Sequence, residues 1–243
     1  MNRTKIEWVQ NPDGSRGYTW NAIVGCGKQC KDERGKIWCY AYYQAKRQKQ
    51  RCIDCYNFKP HIHIERLDQP KKVKKPSLIF ADSMSDFWDK DVKQEWRDKV
   101  YKVIKETPQH TYFLLTKQPQ RIKDTKKIPK NCFVGVSVTC FNDRWRIMKL
   151  ISKPYVEHTF VSLEPLLDDN VSNYIYCVDW VIVGFLTGSK KGFKPAKKTI
   201  KEIIKGCKFL NVPLFLKNNV EWGSEIKQYP KFRDEKYDND NIC

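Results

Sequence analysis

From about residue 77 the chain alternates short apolar runs with amphipathic or charged stretches. The runs Leu78–Ala81, Tyr112–Thr116, Phe133–Val138, Thr159–Leu163, Trp180–Gly184 and Leu214–Leu216 are almost continuously apolar, as strands covered on both faces must be. Between them, Val92–Lys105 puts Val92, Trp96, Val100 and Val103/Ile104 on one face of a helix, and Asp91 stands where a carboxylate favours its N-terminus. Arg144–Ile151, with Asn142 and Asp143 ahead of it as candidate caps, reads as a helix, as does Lys197–Phe209 with Ile200, Ile203/Ile204 and Cys207 inward. A strand over Tyr18–Val24 and a helix from about Tyr40 to Gln50 extend the series toward the start. Strand–helix alternation predicts an α/β protein whose parallel sheet has right-handed crossovers. It is either an open doubly wound sheet or a partial (β/α) barrel of about six to seven parallel strands.

Residues 51–76 break the pattern. They hold a C-x2-C pair, two histidines and the basic run KKVKK, and read as an insertion or long loop. The tail DEKYDNDNIC is polar throughout and is expected to fray. At 243 residues the chain suits one barrel-sized domain spanning 1–243.

Aromatic residues make up 13% of the chain and are spread along it, which fits a packed core. No stretch reaches the ~20 apolar residues of a membrane span. The start, MNRTKIEWVQ, lacks the apolar segment of a secretory signal, so the expected location is the cytoplasm. Thiols stay reduced there, so the ten cysteines call first for metal, redox chemistry or burial, and last for disulfides. Cys132, Cys140, Cys177 and Cys207 lie in or beside apolar runs and read as core residues. The net charge is +18, and residues 1–75 carry 17 Lys+Arg against 7 Asp+Glu, or +10 of it. That imbalance suits a polyanionic partner such as nucleic acid, or equally a lysine-rich composition spread over solvated faces.

The chemistry concentrates in Gly25-Cys26 through Cys30 to Trp38-Cys39-Tyr40, directly after the first strand. Three thiolates on one loop can hold three irons of a [4Fe–4S] cube and leave the fourth open. The C-terminal end of a strand is also where barrel enzymes keep their sites. A competing set is Cys26, Cys30, Cys52 and Cys55, a tetrathiolate zinc pattern that leaves Cys39 as an ordinary buried residue. Spacing alone leaves both open. His61 and His63 share a face if they lie in a strand and could then ligate metal, but they read first as exposed loop histidines.

A series of short blocks resembles a known family: Thr4-Lys5-Ile6-Glu7-Trp8, Trp20-Asn21 through Gly25-Cys26, Cys39-Tyr40-Ala41, Ala81-Asp82-Ser83-Met84-Ser85-Asp86, Pro108-Gln109-His110-Thr111, Leu115-Thr116-Lys117, Gly135-Val136-Ser137-Val138, Ser162-Leu163-Glu164-Pro165-Leu166-Leu167 and Asp179-Trp180-Val181-Ile182-Val183-Gly184. Together, in this order, they resemble the phage-associated three-Cys-motif proteins of the gene product 37/68-like family, regarded as radical-SAM-related. The resemblance implies a [4Fe–4S] cluster on Cys26, Cys30 and Cys39 with S-adenosyl-L-methionine (SAM) on its open iron. The electron would come from a donor such as flavodoxin or ferredoxin, and SAM cleavage would yield a 5′-deoxyadenosyl radical that abstracts a substrate hydrogen.

Two departures stand out. The superfamily's usual spacing is three residues and then two, whereas here it is three and then eight, so Lys31–Lys36 has to loop out of the ligand arc. After Gly184 the family tends to have Gly-Glu-Ser-Gly, whereas this chain has Phe185-Leu186-Thr187-Gly188.

On that resemblance Trp38 stands near the adenine of SAM, and Asp82 and Ser83 (with Ser85) face its amino group; a helix-capping loop is the alternative for the latter. Glu164 is a carboxylate ending an apolar run, which favours a ligand or cation partner. Lys117 is positioned to neutralise Glu164 or the SAM carboxylate, and Ser137 to reach the ribose or simply satisfy backbone. Lys217, closing the last strand, has the same ambiguity as these. No Ser-His-Asp set, phosphate-cradling loop or HExxH occurs. The expected function is a radical-SAM enzyme; the alternative is a non-enzymatic, zinc-containing nucleic-acid-binding protein.

Overall fold

The apolar runs do become strands, with candidate site residues at or just past their ends. A computed structural model describes residues 1–28, 30–31, 35, 37–123, 128–170, 177–186 and 194–231. The chain divides into two units, Met1–Ile122 and Lys123–Cys243. Both are mixed α/β, and their sheet strands are mostly parallel.

The first unit runs β1 (Asn2–Arg3), β2 (Tyr18–Trp20), β3 (Ile23–Val24), α1 (Tyr40–Ala45), α2 (Ile53–Asn57), β4 (His61–Ile62), β5 (Leu78–Ala81), α3 (Gln94–Glu106) and β6 (Thr111–Thr116). Strands β2, β5 and β6 are parallel neighbours, and β1 adds an antiparallel edge. Large aromatic rings fill the core: Trp8 packs on Phe80 and Phe113 at 4.9 and 5.7 Å, and Trp20 meets Tyr112 at 5.9 Å. The buried Trp20 indole donates to the Arg66 carbonyl at 2.8 Å, which ties residues 51–76 to the sheet. Helix α3 buries Val100, Val103 and Ile104 as its periodicity predicts, and adds Tyr101.

The second unit runs β7 (Cys132–Ser137), α4 (Trp145–Ile151), β8 (His158–Leu163), β9 (Val181–Val183), α5 (Lys197–Phe209) and β10 (Leu214–Leu216). Its four strands are all parallel, in the order β7-β8-β9-β10, and every residue in them is buried. Burial on both faces is why these segments have no polar alternation. Among the described residues the parallel strands match the expected six to seven: β2, β5 and β6 in one unit, β7 to β10 in the other.

Several local expectations change. Tyr18–Val24 is not one strand. The segment breaks at Asn21, whose side-chain oxygen takes the Met84 N–H at 3.0 Å and the Ser83 hydroxyl at 3.1 Å. Strand β3 then pairs antiparallel with β4 in a separate two-stranded sheet. Asp91 does not cap α3, because the helix starts at Gln94 with Lys93 at the cap. Asn142 and Asp143 form a 3-10 turn before α4 instead of capping it. Asp143 takes the Thr139 N–H at 3.0 Å and pairs with the buried Arg146 at 2.6 Å. Residues 51–76 are no plain loop, since they hold α2, β4 and two 3-10 turns. Cys132 and Cys207 are core residues as expected, whereas Cys140 is half-buried. Cys177 is half-buried too, and disulfide-bonded, which the reducing-compartment expectation did not foresee. Residues 234–243 and the Thr187-Gly188 pair lie outside the described residues.

Candidate functional site

The cysteine loop of the first unit is stitched to the end of β5. Gly25 bridges Ser85 in parallel, its N–H donates to the Met84 carbonyl at 3.0 Å, and its own carbonyl accepts the Ser85 hydroxyl at 2.7 Å. Gly25 has φ +94, and a Cβ there would lie 2.2 Å from the Lys59 carbonyl oxygen, so only glycine fits. Cys26 therefore emerges beside the C-terminal end of parallel strands, the place α/β proteins use for ligands.

The long second spacing closes on itself. Lys31 and Ile37 form an antiparallel bridge, and the Trp38 N–H donates to the Cys30 carbonyl at 3.0 Å. Lys31 and Ile37 meet across that bridge, and Cys30 and Cys39 come into side-chain hydrogen-bond contact. All three thiols are half-buried. The Cys30 thiol is drawn down to about 6, first by the hydrogen bond from Cys39 and then by the Lys117 and Lys28 ammonium groups. Cys39 is pushed up as the donor of that bond and by burial. Burial pushes Cys26 up to about 12, with the Asp86 and Asp89 carboxylates adding to it. Three cysteines on one loop are the donor type that an iron–sulfur cube takes, one thiolate to an iron, and seating a cube there would part the Cys30 and Cys39 sulfurs.

Asp86 and Asp89 were not singled out from the sequence, although three acids within eight residues (Asp82, Asp86, Asp89) stand out in so basic a chain. Both are buried. Asp86 accepts the Thr116 hydroxyl at 2.6 Å and the Lys117 N–H at 2.9 Å, which fixes the end of β6 against the loop after β5. Asp89 accepts from the Cys26 thiol at 3.5 Å and from Gln118 at 3.0 Å.

Asp82 is 3% exposed at φ +55, and its carboxylate takes the Ile23 N–H at 2.9 Å. Ser83 turns to Asn21. Both organise the backbone leading into Cys26. Trp38 is half-buried between Ile37 and Cys39.

Ser137 and Glu164 belong to the second unit, at the ends of β7 and β8. Ser137 is buried, and its carbonyl accepts from Arg146 at 2.7 Å. Glu164 forms an ion pair with Lys217. Gly184 makes room for that pair, because a Cβ there would stand 2.8 Å from Lys217 Cδ and 3.2 Å from Glu164 Cδ.

His61 and His63 are not exposed loop histidines. Their ring nitrogens and the sulfurs of Cys52 and Cys55 all lie within 4.8 Å of one another. Cys52 and Cys55 thus meet two histidines, not Cys26 and Cys30. The spacing C-x2-C-x5-H-x-H is visible in the sequence, but the meeting of the rings follows from the placing of His61 in β4 and of His63 just beyond it, where its N–H donates to Ala22.

The model of a family described as "Protein of unknown function (DUF5131)" matches residues 3–241. No curated protein matches the sequence. Among solved structures, a variant of spore photoproduct lyase aligns with a TM-score of 0.49 at 12% identity, covering 84% of this chain and 64% of that one. A second variant of the same enzyme, with bound AdoMet and dinucleoside spore photoproduct, aligns at 0.48 and 10% identity over the same shares. This chain therefore spans less than two thirds of the length of those it aligns with.

Proposed function

The chain belongs to the DUF5131 family, and from that premise and its cysteine loop we propose that it is a radical-SAM-type enzyme. One observation carries the reading: the Lys31–Ile37 bridge cancels the long spacing and leaves Cys30 and Cys39 in contact on the same loop as Cys26. Cys26, Cys30 and Cys39 would hold a [4Fe–4S] cluster, leaving one iron for SAM. Such a cluster, when bound, supplies one electron for reductive cleavage of SAM, with a flavodoxin or ferredoxin as its source.

The protein's own part is placement and electrostatics. Lys117 and Lys28 favour the thiolate form of Cys30, the form that iron requires, whereas burial opposes it at Cys26. Asp86 holds the Lys117 backbone in register with the loop after β5, and Asp89 holds the Gln118 side chain beside it. Trp38, Ser83 and Lys117 are the side chains assigned to SAM. Asp82 serves from behind, setting the Ile23 backbone. In the second unit Glu164 is held by its ion pair with Lys217. The substrate is a nucleic acid, an assignment that rests on the +10 charge of residues 1–75.

Anaerobic protein reduced with dithionite and supplied with SAM tests the proposal by chromatography. The expected products are 5′-deoxyadenosine and methionine, formed slowly without substrate and abolished in Cys30→Ala. A cluster-loaded protein that yields no 5′-deoxyadenosine with any reductant defeats it.

A further inference from the structure

We propose that Cys52, Cys55, His61 and His63 form a closed, four-coordinate zinc site, separate from the three-cysteine loop, whose task is to brace the backbone that presents Cys26. The argument begins with the tautomers. His61 Nδ1 lies 2.7 Å from the Lys59 carbonyl oxygen and His63 Nδ1 lies 2.7 Å from a Glu65 carboxylate oxygen. Both partners only accept hydrogen bonds, so each Nδ1 carries the proton and each Nε2 is a bare lone pair. These two lone pairs face each other at 2.9 Å. Around them stand Cys55 Sγ, 3.1 Å from His63 Nε2 and 3.5 Å from His61 Nε2, and Cys52 Sγ, 3.6 Å from His61 Nε2.

Thiol protons could satisfy the nitrogens one by one, but the two lone pairs would still repel. A cation makes every contact in the set attractive. The dimensions agree: zinc with Zn–S of about 2.3 Å and Zn–N of about 2.0–2.1 Å in a tetrahedron puts sulfur and nitrogen about 3.6 Å apart and the nitrogens about 3.4 Å apart. A two-iron cluster is excluded by the same distances, since it would separate a cysteine pair from a histidine pair by the iron–iron spacing as well as the ligand bonds. Two thiolates with two imidazoles in a tetrahedral set select zinc among the common divalent ions.

The outer contacts are those of a built site. A carboxylate behind one imidazole and a carbonyl behind the other fix ring orientation and raise ligand basicity. The Cys55 N–H donates to Cys52 Sγ at 3.4 Å, as the Cys-x2-Cys turn of a thiolate site requires. Cys55 is 4% and His63 9% exposed, and with four protein ligands no position stays open for substrate, so the ion is structural.

What it braces is the neighbouring strand. His63 N–H donates to the Ala22 carbonyl at 2.7 Å, Cys26 N–H donates to the Phe58 carbonyl at 3.3 Å, and β4 pairs with β3. The metal loop thus flanks residues 22–26 along their length.

The test uses the full chain carrying Cys30→Ala, so that iron on the other loop does not confuse the count. About one zinc per chain should survive gel filtration, and Co2+ in its place should give the intense visible absorption of a tetrahedral thiolate site. Adding Cys55→Ser should abolish that absorption. Glu65→Gln, an exposed change that leaves the fold alone, should weaken Zn2+ on the order of 10–100-fold in a chelator competition. Absence of zinc, a six-coordinate cobalt spectrum, or metal binding indifferent to Cys55→Ser and Glu65→Gln overturns the proposal. Zinc present without any iron uptake by the unsubstituted chain overturns the radical-SAM reading and leaves this one standing.

Discussion

Asp82 packs its carboxyl into the first unit at 3% exposure, and burial pushes its pKa up to about 8, the Ile23 N–H only partly offsetting this. The unfolded chain releases that proton near pH 4. Between these values the folded state binds the proton more tightly than the unfolded one, so the contribution is full below about pH 4 and is lost as pH rises through 8. Asp82→Asn keeps an acceptor for Ile23 and removes the titration. Its Tm relative to the parent should therefore climb from pH 4 to pH 8, and parallel Tm curves would refute the assignment. Glu164 and Lys217 make the opposite case, a pair of opposite charges with 24% and 15% of their side chains exposed. Lys217→Met strands a carboxylate and should cost about 1–3 kcal/mol, between the values for exposed and fully buried pairs. Adding Glu164→Gln should recover most of it in urea unfolding. If the double variant is as unstable as the single one, packing against Gly184 and not charge explains the loss.

The excursion closed by Lys31 and Ile37 is the element on which the candidate site depends. Trp38→Pro removes the N–H that donates to the Cys30 carbonyl. It should leave the circular dichroism spectrum unchanged while iron content falls well below that of the parent. Unchanged iron would mean that the bridge does not position Cys39. Elements such as this also mark how far the sequence can be read. Strands β7 to β10 were legible because burial on both faces forces continuous apolar runs, and α3 because its buried stripe repeats at the helical period. The three cysteines were legible as a group but their closure was not, since it depends on one backbone pairing. The metal-ligand reading of His61 and His63 carries no periodicity in the sequence, because β4 is two residues long; the pairing of His61 with Val24 and the His63 N–H bond to Ala22 hold the two residues in place. Asp86 went unassigned for a related reason, as its partners Thr116 and Lys117 are about thirty residues away.

At the scale of the whole molecule, charge, metal and cofactor combine. Among the described residues no helix is long and apolar enough to cross a membrane. The excess of cations over residues 1–75 includes the exposed Arg47, Lys49 and Arg51 just ahead of Cys52. If a nucleic acid is the substrate, binding should weaken with salt, log K falling by about 0.7–0.9 per decade for each phosphate neutralised. Affinity independent of salt would remove nucleic acid from the account. The cofactor claim is tested most directly by electron paramagnetic resonance on anaerobically reconstituted, dithionite-reduced protein, with and without SAM. About four irons per chain should give a reduced-cluster signal that SAM changes, because on the proposed reading SAM binds the iron that Cys26, Cys30 and Cys39 would leave open. A signal indifferent to SAM, or a chain that takes up no iron, contradicts it.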